Sequence, residues 1–160
     1  MKINLNNQSG IYTLTSEQIL PISLEEAWDF FTHPNNLDKI TPKEMQFEIT
    51  NNPPDKTYLG QIITYKIGVL PFVKNNWVTE ITHFEDRKFF VDEQRFGPYA
   101  MWHHQHHFEA TEDGKVKMTD IVNFKLPFGF LGDLLASGFV KNKVKFIFAS
   151  RYMILKEIFG

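Results

Sequence analysis

Four histidines fall within five residues in the run MWHHQHHFEA, Met101 to Ala110. Imidazole is the side chain best suited near neutral pH to give or take a proton, to donate and accept hydrogen bonds, or to ligate a metal. On a strand, the period of two divides the run. Trp102, His104, His106 and Phe108 share one face, while Met101, His103, Gln105, His107 and Glu109 share the other. Trp102 and Phe108 mark their face as the more apolar one, so His104 and His106 are expected inward and His103 and His107 outward. An inward pair serves either as a hydrogen-bonded structural element or as a ligand contact, with acid–base catalysis a special case of the second.

Three further groups belong to this chemistry. Glu93 and Arg95 share a face of the preceding run FVDEQRF with Val91, and either close a buried polar network or recognise a ligand. Asp120, reached through the turn Asp113-Gly114, falls beside His106 or His107 according to register. His104, His106, Glu93 and Asp120 are therefore the candidate catalytic groups. Tyr99, set by the Gly97-Pro98 turn, and Trp102 are either cavity-lining or core aromatics. Zinc generally takes a third protein ligand and no HExxH motif is present, so no metal and no cofactor are expected. The chain has no cysteine, GxGxxG, P-loop or serine elbow, which removes thiol chemistry and the usual warrants for dinucleotide, nucleotide and serine-hydrolase activity.

The surrounding elements decide how these groups meet. Gly10 to Leu20 has strand-like composition and stops at Pro21. Ser23 and Glu26 form a capping box for a short helix whose apolar face is Leu24, Ala27, Trp28 and Phe31. Pro34 opens a second helical turn carrying Leu37 and Ile40, which Pro42 ends. Neither helix has the basic face of a DNA-reading element. Six strand-length runs follow, beginning at Glu44, Gln61, Asn76, Lys88, Met101 and Lys115. No helix long enough for a crossover separates them, so the sheet should be antiparallel. From Leu131 to Phe159 the chain reads as one long helix, although Gly138 costs about 1 kcal/mol relative to alanine in its interior.

A twisted antiparallel sheet bent around such a helix leaves a cavity unless large side chains fill it. On a helical projection Leu135, Phe139, Phe146 and Met153 cluster on one side, with Val140, Val144, Ile147, Ile154 and Ile158 adjacent and Lys141, Lys145 and Lys156 opposite. The lysine stripe reads either as a solvated face or as peripheral contact with anionic lipid. Gly138 allows either close packing or a pocket mouth. The expected ligand-binding set is Glu93, Arg95, Tyr99, Trp102, His104, His106, Phe108, Asp120, Leu135, Phe139 and Phe146; Trp28 and Trp77 read as core.

One domain over residues 1–160 suits the length and the 42% hydrophobic content. A formal charge of −2 calls for no polyanionic partner, so nucleic-acid binding is not expected. No signal-peptide or membrane-spanning run is seen, which leads to an expectation of a cytoplasmic protein without integral membrane association. The sequence identifies no protein partner.

The stretches PISLEEAWDFFTHPNNLDKITP, FVDEQRFGPYAMWHHQHHF, MTDIVNFKLPFG and IFASRY, within about residues 11–159, resemble the START-like superfamily, also known for its birch-pollen-allergen fold and as polyketide cyclase/dehydrase and lipid-transport proteins. The last three resemble a bacterial ligand-binding subfamily in which the related domain is sometimes labelled a cell-division inhibitor. The resemblance implies an α+β helix-grip fold: a seven-stranded curved antiparallel sheet around a long C-terminal helix, with two short helices after strand 1 and a hydrophobic cavity inside. It implies no established catalytic role for the matched positions, which include Asp92, Glu93, Gln94, Trp102, His104, His106 and Asp120. The expected function is binding or transport of a small hydrophobic molecule carrying a polar group. The alternatives are a cyclase, dehydratase or isomerase acting on a polyketide-like or lipid-like substrate, and a protein-interaction or regulatory module.

Overall fold

A computed structural model describes residues 2–70, 73–127 and 129–160, the side chains of 69, 70, 73 and 129–137 excepted. Its elements in chain order are β1 (Lys2–Gln8), β2 (Ile11–Leu20), α1 (Leu24–Phe31), α2 (Leu37–Ile40), β3 (Glu48–Ile49), β4 (Ile62–Leu70), β5 (Val73–Glu85), β6 (Phe89–Phe96), β7 (Met101–Ala110), β8 (Val116–Lys125) and α3 (Gly129–Phe159), with single 3-10 turns flanking α2. The strands form one antiparallel sheet in the order β1-β2-β8-β7-β6-β5-β4-β3. This is the α+β helix-grip arrangement, with eight strands rather than the expected seven. Among the described residues no helix is long and apolar enough to cross a membrane.

The additional strand is β1. Ser9 and Gly10 both have positive φ (54° and 79°), the two-residue turn whose twist matches a hairpin, and they fold Lys2–Gln8 back onto β2. Gly10 thus belongs to a turn rather than to the strand it was expected to open. Ile3 and Leu5 pack from β1 against the buried cluster of Leu14, Val122 and Phe124.

Capping fixes α1 as its sequence suggests. The Glu26 amide donates to Ser23 Oγ at 3.2 Å, and the Ser23 amide donates to Glu26 Oε2 at 2.9 Å. Ala27, Trp28 and Phe31 are then buried over one end of the sheet. There Trp28 meets Phe108 at 5.5 Å between ring centroids, and Met118 and Leu155 complete the cluster. A second apolar cluster, around Tyr12, Leu14, Val122, Phe124, Val144 and Phe148, fills the other end. Register irregularities in β5 between Val78 and Thr79 and between Ile81 and His83 bend the sheet between them.

The face that α3 turns inward carries Val144, Phe148, Arg151 and Leu155, spaced by three and four residues. Phe139 and Phe146 lie on the opposite side, 47% and 43% exposed, which corrects their expected place in the cavity. A methyl group at Gly138 would meet nothing within 4 Å, so close packing does not explain that glycine. The side chains of Leu135 and Ala136, and the burial of Gly132, lie outside what is described.

Candidate functional site

Between the two apolar clusters the inner face of the sheet becomes polar. Its composition follows from register: residues directly opposite one another on paired strands share a face. Asp92 of β6 is opposite His104, and Asp120 of β8 is opposite His106. Two aspartates from different strands therefore join the inward histidines of β7, and Arg151 descends on them from α3.

Each imidazole spans the two carboxylates. His104 presents Nε2 to Asp120 Oδ1 at 2.9 Å and Nδ1 to Asp92 Oδ2 at 3.5 Å. His106 is turned the other way, with Nε2 2.8 Å from Asp92 Oδ2 and Nδ1 3.1 Å from Asp120 Oδ1. That last contact is too bent for a good hydrogen bond, so it is ionic in character. The rings lie 3.8 Å apart between centroids, tilted by 37°, and Phe90 stacks on His106 at 4.3 Å. Arg151 places a terminal guanidinium nitrogen 3.6 Å from Asp120 Oδ1, with Phe31 and Phe148 beside its Cζ at 5.5 and 6.0 Å.

This packing divides charge unevenly. Burial pushes the Asp120 carboxyl up, but Arg151 and the two histidines outweigh it and hold the group far below the ordinary carboxylate range. Asp92 is also pushed up by burial and brought below its usual value by its hydrogen bond to His106 and by both imidazoles. For His104, burial and the neighbouring charge of His106 depress basicity. His106 suffers the same burial, yet its contacts with Asp120 and Asp92 prevail and it holds its proton to higher pH than an ordinary imidazole. The two imidazoles are thus driven in opposite directions, His106 toward keeping its proton and His104 toward losing it, beside two carboxylates held below their ordinary range.

The cluster borders a cavity of about 150 Å³ between sheet and helix. Its apolar wall includes Tyr65, Trp77, Tyr99, Trp102, Ile147 and Phe148, and its polar end includes Asp92, His104, His106 and Arg151. Asp120 stands behind the histidines. The α1–α2 connection and α2 itself, through residues such as His33, Leu37 and Thr41 just beyond it, form the remaining side. Among the described residues that line the cavity, Trp77 Nε1 and Arg151 Nε are buried donors without a hydrogen-bond partner, and the ring nitrogen His33 Nδ1 also lacks one. Burial also pushes the phenolic hydroxyls of Tyr65 and Tyr99 upward, so both stay neutral.

Tyr99 is held in place by a clamp. The Gln94 amide donates to the Tyr99 carbonyl at 2.7 Å and accepts from the Tyr99 amide at 3.2 Å. A Cβ on Gly97 would collide with the Gln94 side chain, so a larger residue in this turn would have to displace the clamp.

The expected residues separate into three groups. Tyr99, Trp102, His104 and His106 line the cavity, and Asp120 supports the histidines from behind. Glu93 and Arg95 are on the outer face, where His103 Nδ1 lies 2.7 Å from Glu93 Oε1 and Arg95 Nε donates to Glu80 Oε2 at 2.6 Å, so neither joins the inward network. Phe108 belongs to the core with Trp28 and Phe31 rather than to the cavity wall. Asp92 and Arg151, which were not expected in the site, are central to it, and Trp77 lines the cavity in addition to packing on its neighbours. Asp92, His104 and His106 also bring three potential metal-ligand atoms within 4.8 Å of one another.

An antiparallel sheet gripping a long C-terminal helix is the helix-grip fold, known from the birch-pollen allergen, and solved structures agree. Protein Ms6760 from Mycobacterium smegmatis has a TM-score of 0.66 at 14% identity, covering 99% of this chain and 98% of that one. Ginseng major latex-like protein 151 from Panax ginseng has a TM-score of 0.68 at 10% identity, covering 94% and 98%. Ara h 8.0201 has a TM-score of 0.58 at 18% identity, covering 92% and 99%. Identities this low establish the fold alone. Residues 31–159 match the family model described as a domain of unknown function, DUF8410, and the chain belongs to that family. No curated protein matches the sequence.

Proposed function

We propose that the chain binds or carries a small molecule, about the size of one aromatic ring or a short acyl chain, with a hydrogen-bond acceptor at one end. The observation that carries this reading is a cavity with aromatic walls whose lining residues include two buried, unpartnered donors, Trp77 Nε1 and Arg151 Nε. An unsatisfied buried donor costs about 1–3 kcal/mol, which an acceptor on the ligand recovers. Size narrows the class further. An apolar cavity of about 150 Å³ accommodates benzene, and drug-sized sites run to roughly 300–1,000 Å³. Sterols and two-chain lipids therefore require the α1–α2 side to open, whereas an aryl or short-chain carboxylate does not. The motifs resembling a bacterial ligand-binding subfamily fit this assignment.

Native mass spectra of freshly purified protein, with extraction and identification of whatever is released, test the proposal together with a titration. Two of the three tryptophans line the cavity, so benzoate and hexanoate should change intrinsic fluorescence saturably. Arg151→Met should weaken benzoate at least tenfold, as loss of a charged hydrogen bond predicts. Absence of both a released molecule and a saturable response would sink the reading.

A second reading, proton-transfer catalysis on that ligand, is favoured by the presence of Asp92 and both histidines in the cavity wall. It requires His104→Gln or His106→Gln to abolish turnover while largely retaining binding. Equal loss of both would assign the histidines to architecture.

A further inference from the structure

We propose that Asp92, His104 and His106 form a binding site for a divalent first-row transition-metal ion, with Asp120 orienting the two histidines from behind. This goes beyond the ligand-binding reading and stands without it.

The geometry supplies both layers that such a site needs. In the inner layer, His104 Nδ1 and His106 Nε2 converge on Asp92 Oδ2 at 3.5 and 2.8 Å. Donor atoms at about 2.0–2.2 Å from a tetrahedral zinc stand ~3.4 Å apart. The first distance already has that value, and the second is a hydrogen-bond length that must open by about half an ångström to reach it. In the outer layer, metal-bound histidines characteristically give their second ring nitrogen to a carboxylate. His104 does so here through Nε2, hydrogen-bonded to Asp120 at 2.9 Å, and His106 places Nδ1 3.1 Å from the same carboxylate oxygen, where a small rotation of the ring completes the bond.

Charge assigns the two aspartates different tasks. Arg151 contacts Asp120 and balances it, leaving Asp92 as the negative group directed at the convergence point. A dication with two neutral imidazoles and one carboxylate suits Zn²⁺, Fe²⁺ or Co²⁺, and without thiolates the set does not favour soft ions. All three inner residues line the cavity whereas Asp120 does not. The positions on the metal that the protein leaves open therefore face the space available to a small molecule, as in catalytic rather than closed structural sites.

The outer face offers a built-in control, since His103, His107, Gln105 and Glu93 form a polar group there that can also collect ions adventitiously. The test uses the full chain without added ligand, stripped with chelator, loaded with Zn²⁺ or Co²⁺ and dialysed. The expected result is one ion retained per chain, a Co²⁺ visible spectrum indicating nitrogen and oxygen donors, and at least tenfold weaker uptake in Asp92→Asn and His106→Gln. Glu93→Gln and His103→Gln should bind as the parent does. Asp120→Asn should weaken uptake by about 10–100-fold, the usual effect of losing an outer carboxylate. Imidazole ¹⁵N spectra of the unmutated protein keep the result independent of whether a variant folds: Zn²⁺ must shift the ring nitrogens of His104 and His106. No retained ion, shifts confined to His103 and His107, or uptake unchanged in folded Asp92→Asn would each overturn the proposal. A negative result here leaves the benzoate and hexanoate titrations unaffected, so the two readings fail separately.

Discussion

The two faces of β7 carry the same chemistry in different surroundings. On the inner face His104 and His106 are 7% and 4% exposed, packed between two aspartates and capped by Phe90, Phe148 and Arg151. On the outer face His103 meets Glu93 and His107 meets Gln105, with water still able to reach each of them. Four identical side chains within five residues thus divide into a desolvated network and a solvated one. Their cross-strand neighbours and the cover from α3 make the difference. In the inner network each partner's loss exposes the others to an uncompensated low-dielectric environment, whereas solvent replaces a lost partner outside.

The sharpest way to break this contrast is to remove one carboxylate from each face. Asp120→Ala leaves Arg151, His104 and His106 with only Asp92 inside the barrel of packed side chains. We expect a loss of about 3–5 kcal/mol, the range for breaking a buried pair by removing one partner. Glu93→Ala should cost about 0–1 kcal/mol, as a partly exposed ion pair does. Urea unfolding of both variants measures the difference, and equal midpoints would mean that the inner cluster is hydrated after all.

Replacing the histidines one at a time makes the comparison finer. His104→Gln and His106→Gln each keep an amide near the ring but satisfy one carboxylate instead of two, which should cost about 1–3 kcal/mol. His103→Gln and His107→Gln should stay within about 0.5 kcal/mol of the parent. Thermal melts of the four proteins settle the order. An outer variant as damaging as an inner one would refute the division.

The sequence made the two faces legible but not all of their members. Trp102 and Phe108 distinguished the inward histidines because a strand alternates strictly. The acid that joins them was harder to identify, since Asp92 and Glu93 are adjacent and point oppositely. Only the length of the Gly97–Ala100 turn, which pairs even-numbered with even-numbered residues, selects Asp92. The same dependence left Asp120 between His106 and His107 until the β7–β8 register was known. Capping and turn chemistry located α1 and the β7–β8 hairpin because both are local signals. β1 escaped notice because Ile3 and Leu5 alternate among asparagines and pair only through the Ser9-Gly10 turn. For α3, apolar residues occur around much of the circumference, so periodicity alone did not choose the buried face. Arg151 lies on that face with Val144, Phe148 and Leu155, and a hydrophobic count discards it.

That ambiguity leads to the smallest effect expected. Phe139 and Phe146 stand seven residues apart on the outer side of α3, where replacement removes little buried area. Phe139→Ser and Phe146→Ser should each alter unfolding free energy by less than about 0.5 kcal/mol and leave the benzoate titration unchanged. Phe148→Ala is the matched inner substitution. Its ring packs 5.5 Å from His104 and beside Arg151, so its loss should cost about 3–5 kcal/mol, the range for truncating a buried aromatic. If the outer pair proved equally costly, the buried face of α3 would have to be reassigned toward Phe139 and Phe146. Arg151 would then turn away from Asp120, and the inner network would lose the guanidinium that balances its second carboxylate. The orientation of one helix and the charge state of the site therefore stand or fall together.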